Sequence, residues 1–169
     1  MNSTALVFAP FYANYIEKAS QFEIFINEFV KQMEVTSVFF KDIPDEKQQF
    51  SYAEGKWTPK DILLHLIDSE RIFAYRALRI ARNDQTELPG FEENDYAAVA
   101  GANLRTLESL LEEYQAVRTA TIQLFKYWNE DQLNRVGKAS NFLVSVKALA
   151  YIILGHEQHH ITIIKERYL

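Results

Sequence analysis

The chain contains no cysteine. That excludes disulfides, iron–sulfur ligation, thiolate zinc sites and a cysteine nucleophile. Any metal must be held by His, Asp or Glu, and only four histidines are present. Glycine and proline are scarce, five and four residues, and they are scattered. No flexible linker divides the 169 residues, so one domain over 1–169 is expected. Basic charge is in deficit: 18 Lys and Arg against 23 Asp and Glu leave a net −5. That balance suits a phosphate backbone poorly, and no nucleic-acid partner is expected. Long apolar runs are missing too. The longest, about Ala148–Leu154, is far short of a membrane span. Met1 to Tyr15 carries no basic leader and is interrupted by Pro10, so a cytoplasmic protein without a secretory signal or membrane partner is expected.

What the chain does hold is 48% hydrophobic and 24% charged residues, the balance of a globular core. Four long segments carry a helical period. The first runs from Lys18 to Lys41, with Phe22, Phe25, Ile26, Phe29 and Met33 on one stripe. The second has the clearest start, with Thr58 as N-cap, Pro59 at the first helical position and Asp61 three residues after the cap. It runs to about Arg82. The third spans Leu104 to Trp128, and the fourth begins near Ser145 and continues almost to the end. No segment alternates strictly, so sheet content near zero is expected. The fold class is therefore all-α, a four-helix bundle with a long loop, Asn83 to Asn103, between helices two and three.

His156 and His160, four residues apart, share one helical face. Leu149, Ile153 and Ile163 lie seven residues from one or the other, so both histidines ride on the apolar stripe. His65, on the second helix with Ile62 and Ile72 on its side, also faces inward. A buried neutral imidazole needs partners for its ring nitrogens, and a metal satisfies one of them. Three imidazoles would leave an open coordination position, the arrangement of catalytic rather than structural zinc. Nickel and iron suit imidazoles as well. His159 lies about 100° around the helix from His160 and is not a first-choice ligand.

His156-Glu157-Gln158-His159-His160 also fits the H-E-x-x-H pattern of zinc peptidases. Only nine residues follow His160, which leaves no room for the usual downstream ligand. A third ligand from upstream, His65, fits better. Glu157 is a candidate base or an acceptor for the histidines, and reads equally as a solvated neighbour.

Gly55-Lys56-Trp57-Thr58, Asp61 to Asp68 around His65, and Gly155 to His160 together resemble the DinB-like, YfiT-like superfamily. The stretches Glu70 to Arg79, Leu88-Pro89-Gly90-Phe91 and Lys165 to Leu169 are similar to one subgroup. The resemblance covers the chain from about Lys18 onward. Residues 1–17 form an N-terminal extension outside the resemblance. The resemblance implies a four-helix bundle with one divalent metal ion on a histidine triad matching His65, His156 and His160, and a homodimer. It further implies an enzyme of small molecules: a thiol S-transferase using bacillithiol, mycothiol or glutathione, a thiol-dependent isomerase, or a metal-dependent hydrolase.

The expected function is thus transfer of a low-molecular-weight thiol to an electrophilic small-molecule substrate. Hydrolysis by a metal-activated water, or a metal-binding bundle without turnover, are the alternatives. With no cysteine in the chain, the thiol must arrive as cosubstrate. Asp68 and Ser69, one turn after His65, are candidates to support it. Trp57, Phe91 and Tyr96, with Ser69, are candidate substrate-pocket residues. Arg76, Arg79 and Arg82 recur every three residues and read as a solvated face rather than an anion site.

Overall fold

The computed structural model describes residues 6–22 and 25–169. In chain order, its elements are α1 (Ala13–Ala19), α2 (Phe25–Lys41), α3 (Asp45–Gln48), α4 (Pro59–Ala81), α5 (Glu93–Ala100), α6 (Leu107–Phe125), α7 (Glu130–Leu133), β1 (Val136–Ala139), β2 (Phe142–Ser145) and α8 (Val146–Arg167). Short 3-10 turns precede α1 and α6.

The bundle is made of α2, α4, α6 and α8. Both α2 and α4 pack on α6 and α8, which sets α2 and α4 at opposite corners. Each long helix starts where its sequence supplies an oxygen for orphan amide groups. Thr58 and Asp61 form a reciprocal capping box at α4, Thr106 caps α6 and Ser145 caps α8. The expected all-α bundle is the observed one, with three local differences.

The first expected helix, 18–41, is two helices. α1 ends at Ala19, where the Ser20 amide donates to Ile16, and α2 begins at Phe25. The long connection is not a bare loop, because α5 forms within it behind an N-cap from Glu92. Sheet content is small but not nil. β1 and β2 pair antiparallel across Ser140 and Asn141, both at positive φ, the two-residue turn whose twist suits a hairpin. Leu88 lies beside this hairpin, donating to the Lys138 carbonyl at 2.9 Å and accepting from the Ser140 amide at 3.0 Å. The Leu88–Phe91 segment is thereby pinned near α4.

The N-terminal segment is part of the packed structure. The Ser145 amide donates to the Val7 carbonyl at 2.9 Å, and α1 lies along α8. That approach depends on Gly155, since a Cβ there would stand 2.0 Å from the Tyr15 carbonyl oxygen. Glycine is required by backbone contact, not by φ.

Candidate metal centre

His65 projects from α4, and His156 and His160 from one face of α8. The Nε2 atoms of His65 and His160 each lie 3.0 Å from Nε2 of His156. One ring nitrogen from each of the three falls within 4.8 Å of the others. His156 and His160 are buried and His65 is half-buried. Among the described residues, no other group of His, Asp or Glu converges in this way.

This arrangement is poorly satisfied by hydrogen bonds alone. A neutral imidazole nitrogen carries either one proton or one lone pair. His156 Nε2 offers one proton or one lone pair to two neighbours, so the two close contacts cannot both be full hydrogen bonds. His160 Nδ1 is buried without a partner among the described residues, while His65 Nδ1 faces the Ser69 hydroxyl at 3.4 Å. A cation among the three Nε2 lone pairs removes that conflict and leaves the protons on Nδ1. The set therefore fits a divalent ion. Burial holds the rings in the form a metal needs. It lowers the pKa of His65 to about 4 and that of His160 to about 3. His156 is driven well below its ordinary value by burial first and by its histidine neighbours second. All three are neutral at pH 7.

The triad forms the floor of a cleft of about 570 Å³, within the range of small-molecule sites. Trp57 covers one side, its ring centroid 4.7 Å from that of His65 and 6.3 Å from that of His160. Ser69 is buried against His65. Phe91 lines the cleft and packs on Tyr96 at 5.3 Å. Tyr96 itself stands half-exposed on α5 beside a smaller adjoining recess shared with Asp68. Asp68 pairs with Arg71 at 3.6 Å rather than with the triad.

His159 also borders the cleft but contributes no nitrogen to the triad. Glu157 is neither solvated nor bonded to a histidine. It is buried, and its carboxylate accepts from Thr36 at 2.8 Å, Tyr114 at 2.7 Å and Arg118 at 2.7 Å. The residue next to His156 on a helix points about 100° away, here toward α2 and α6.

Two contributors were missed from sequence. The N-terminal segment supplies Phe11, Tyr12 and Tyr15 to the cleft, with the Tyr15 ring 5.2 Å from that of His156. The signal available was an aromatic cluster on a short helix. Arg76 is a correction, because it does not belong to a solvated face. It is buried and lines the cleft, donating to the Pro89 carbonyl at 2.7 Å and the Ser140 hydroxyl at 2.9 Å. Arg79 pairs with Asp84, and Arg82 is exposed, as a solvated face requires.

Comparison with known proteins decides the family. The DinB superfamily model matches residues 28–164. The chain belongs to the DinB superfamily. Two Oceanobacillus iheyensis proteins, each named "Putative metal-dependent hydrolase", are 25% identical to it over 146 and 144 residues. These alignments span 83% and 82% of this chain and 83% of each relative. Among solved structures it is similar to YfiT from Bacillus subtilis, described as a probable metal-dependent hydrolase with an unusual four-helix bundle topology. That match has a TM-score of 0.69 and 17% identity, over 83% of this chain and 84% of the other. A DinB-like protein of Bacillus subtilis, YjoA, matches with a TM-score of 0.59 and 19% identity, over 84% and 87%. At that identity the structures support the fold. No helix among the described residues is long and apolar enough to cross a membrane.

Proposed function

We propose that the protein is a divalent-metal-dependent enzyme acting on a small organic molecule. His65, His156 and His160 are its metal ligands, and zinc, nickel or iron are the ions suited to an all-imidazole set. The observation that carries this reading is the convergence of three neutral ring nitrogens at the floor of a substrate-sized cleft. An ion held there supplies Lewis acidity, lowering the pKa of a water or thiol beside it toward neutrality.

The chain's residues hold and shape that chemistry. Ser69 fixes the His65 ring by accepting from its Nδ1 proton. Trp57, Phe91 and Tyr15 supply apolar walls that exclude bulk water. Glu157, engaged by three donors, is assigned to packing and given no base role.

Two nucleophiles fit such a site. A cleft of about 570 Å³ has room for a low-molecular-weight thiol of the bacillithiol, mycothiol or glutathione type beside a small electrophile, and a chain without cysteine leaves that thiol to a cosubstrate. Hydrolysis is supported by the names of the Oceanobacillus relatives. The metal-loaded enzyme, assayed with each thiol and a generic electrophile and in parallel with activated esters and amides, separates them. Metal-dependent conjugation with at least one thiol is expected. Ester or amide cleavage without conjugation contradicts thiol transfer and leaves hydrolysis.

A further inference from the structure

The two buried arginines among the described residues differ in their charge partners. Arg118 is held by Glu70 and Glu157 at 2.9 and 2.7 Å. Arg76 is only 3% exposed and has no ion pair among the described residues. A guanidinium cannot shed its proton, and an unpaired buried charge is unfavourable. Two neutral acceptors, the Pro89 carbonyl and the Ser140 hydroxyl, both meet the same nitrogen, Nη2. The group borders the cleft whose floor is the histidine triad.

The surroundings are those of an anion subsite. Phe73 lies between the two ends, its ring 6.1 Å from that of His156 and 5.9 Å from the Arg76 guanidinium carbon. Tyr12 and Ser140 bring hydroxyls to the same wall. The Tyr12 phenol is raised in pKa by burial and pulled back by Arg76, so it stays protonated and able to donate. Among the described residues one carboxylate borders the cleft, that of the exposed Glu93 at the start of α5; it lies near enough to raise the pKa of Tyr12 and Tyr15 but makes no ion pair with Arg76. His65 and Arg76 are eleven residues apart on α4, roughly 16 Å of helix rise, part of which the arginine side chain spans. A ligand touching both ends needs several atoms between its reacting group and its charge.

Resting on the metal-dependent reading above, we propose that the substrate or cosubstrate carries a carboxylate which pairs with Arg76 while its reacting atom lies at the histidine triad. Arg76 then selects among small molecules by charge and by length.

The test uses chelating probes that do not depend on which reaction is catalysed. The monohydroxamates of succinic, glutaric and adipic acid are titrated calorimetrically into the metal-loaded protein, beside neutral hydroxamates of the same chain lengths. At least one carboxylated probe is expected to bind about 10-fold tighter than its neutral partner, the effect of a charged hydrogen-bonded pair. In Arg76→Gln that preference disappears while metal content stays unchanged, and in Arg76→Lys part of it remains. If Arg76 served only to strap Pro89 to Ser140, the wild type would bind both series equally. Equal affinity, or a preference that survives in Arg76→Gln, overturns the assignment and leaves the metal reading standing. Failure of both series to bind a protein that retains no metal overturns both. The wild-type comparison needs no variant, so a misfolded Arg76→Gln does not block it.

Discussion

The two sides of α8 treat charge in opposite ways. Toward α2 and α6, Glu157 meets Thr36, Tyr114 and Arg118, and Arg118 reaches on to Glu70. This cluster is buried, and its one guanidinium is paired with two carboxylates of the chain, while Arg118 Nη1 has no partner among the described residues. Toward α4 and α1, His156 and His160 meet His65, and the polar groups are left short of partners. Among the described residues His160 Nδ1 has none, the Nε2 atoms of His65 and His160 crowd that of His156, and Arg76 lacks a counter-ion. On the first side the buried arginine finds counter-charges within the chain, and on the second the buried arginine finds none among the described residues and the ring nitrogens face one another. Unmet demand of that kind distinguishes a binding site from a polar core.

The comparison breaks most visibly at Arg118. Arg118→Ala leaves two buried carboxylates unpaired, and destabilisation of roughly 3–5 kcal/mol is expected. Urea unfolding measures it, and metal content per folded molecule should not change. A loss of metal with little loss of stability would show that the Glu157 side serves the centre directly.

A smaller effect is expected where α1 closes the open side. In Gly155→Ala, the new Cβ collides with the Tyr15 carbonyl, and α1 must shift, at a cost of about 1–3 kcal/mol. Because Tyr15 packs on His156, the cleft should loosen, seen as faster amide exchange across residues 13–19. Unchanged exchange would contradict the role given to this segment.

The acid response of the metal-free protein needs no substitution and is comparable in size to the effects above. The folded pKa values of His65 and His160, about 4 and about 3, lie below the ordinary 6.5. Below pH 6.5 the unfolded chain takes up protons that the folded chain refuses. Stability is therefore complete above that pH and falls as pH drops toward 4, by up to about 1.4 kcal/mol per unit for each ring. Denaturation midpoints at pH 7 and pH 5 on chelator-treated protein measure this. His65→Ala should flatten the slope.

Much of this was legible in the sequence, and the reasons for the remainder are specific. The triad could be read because helical spacing fixes which side chains share a face, and the stripes of α4 and α8 are strongly apolar. The cap at Thr58 and the start of α8 near Ser145 were legible for the same local reason. The hairpin was not, since strands of four residues show too little alternation to stand out. Its Ser140-Asn141 turn was the available sign. Arg76 was misread because its surroundings come from distant segments, Pro89 and Ser140, which a helical repeat does not reveal. Glu157 was misread as a solvated neighbour and as an acceptor for the histidines, because its partners Thr36, Tyr114 and Arg118 come from α2 and α6. The N-terminal aromatic wall depends on the close approach at Gly155, a contact between residues 140 positions apart.

The most direct test of the central claim is metal content by elemental analysis on the purified protein and four single variants. One divalent ion per chain is expected for the wild type and for His159→Ala, and loss of the ion for His65→Ala, His156→Ala and His160→Ala. Full metal retention in any of those three, with the variant folded, would contradict the triad as the metal centre.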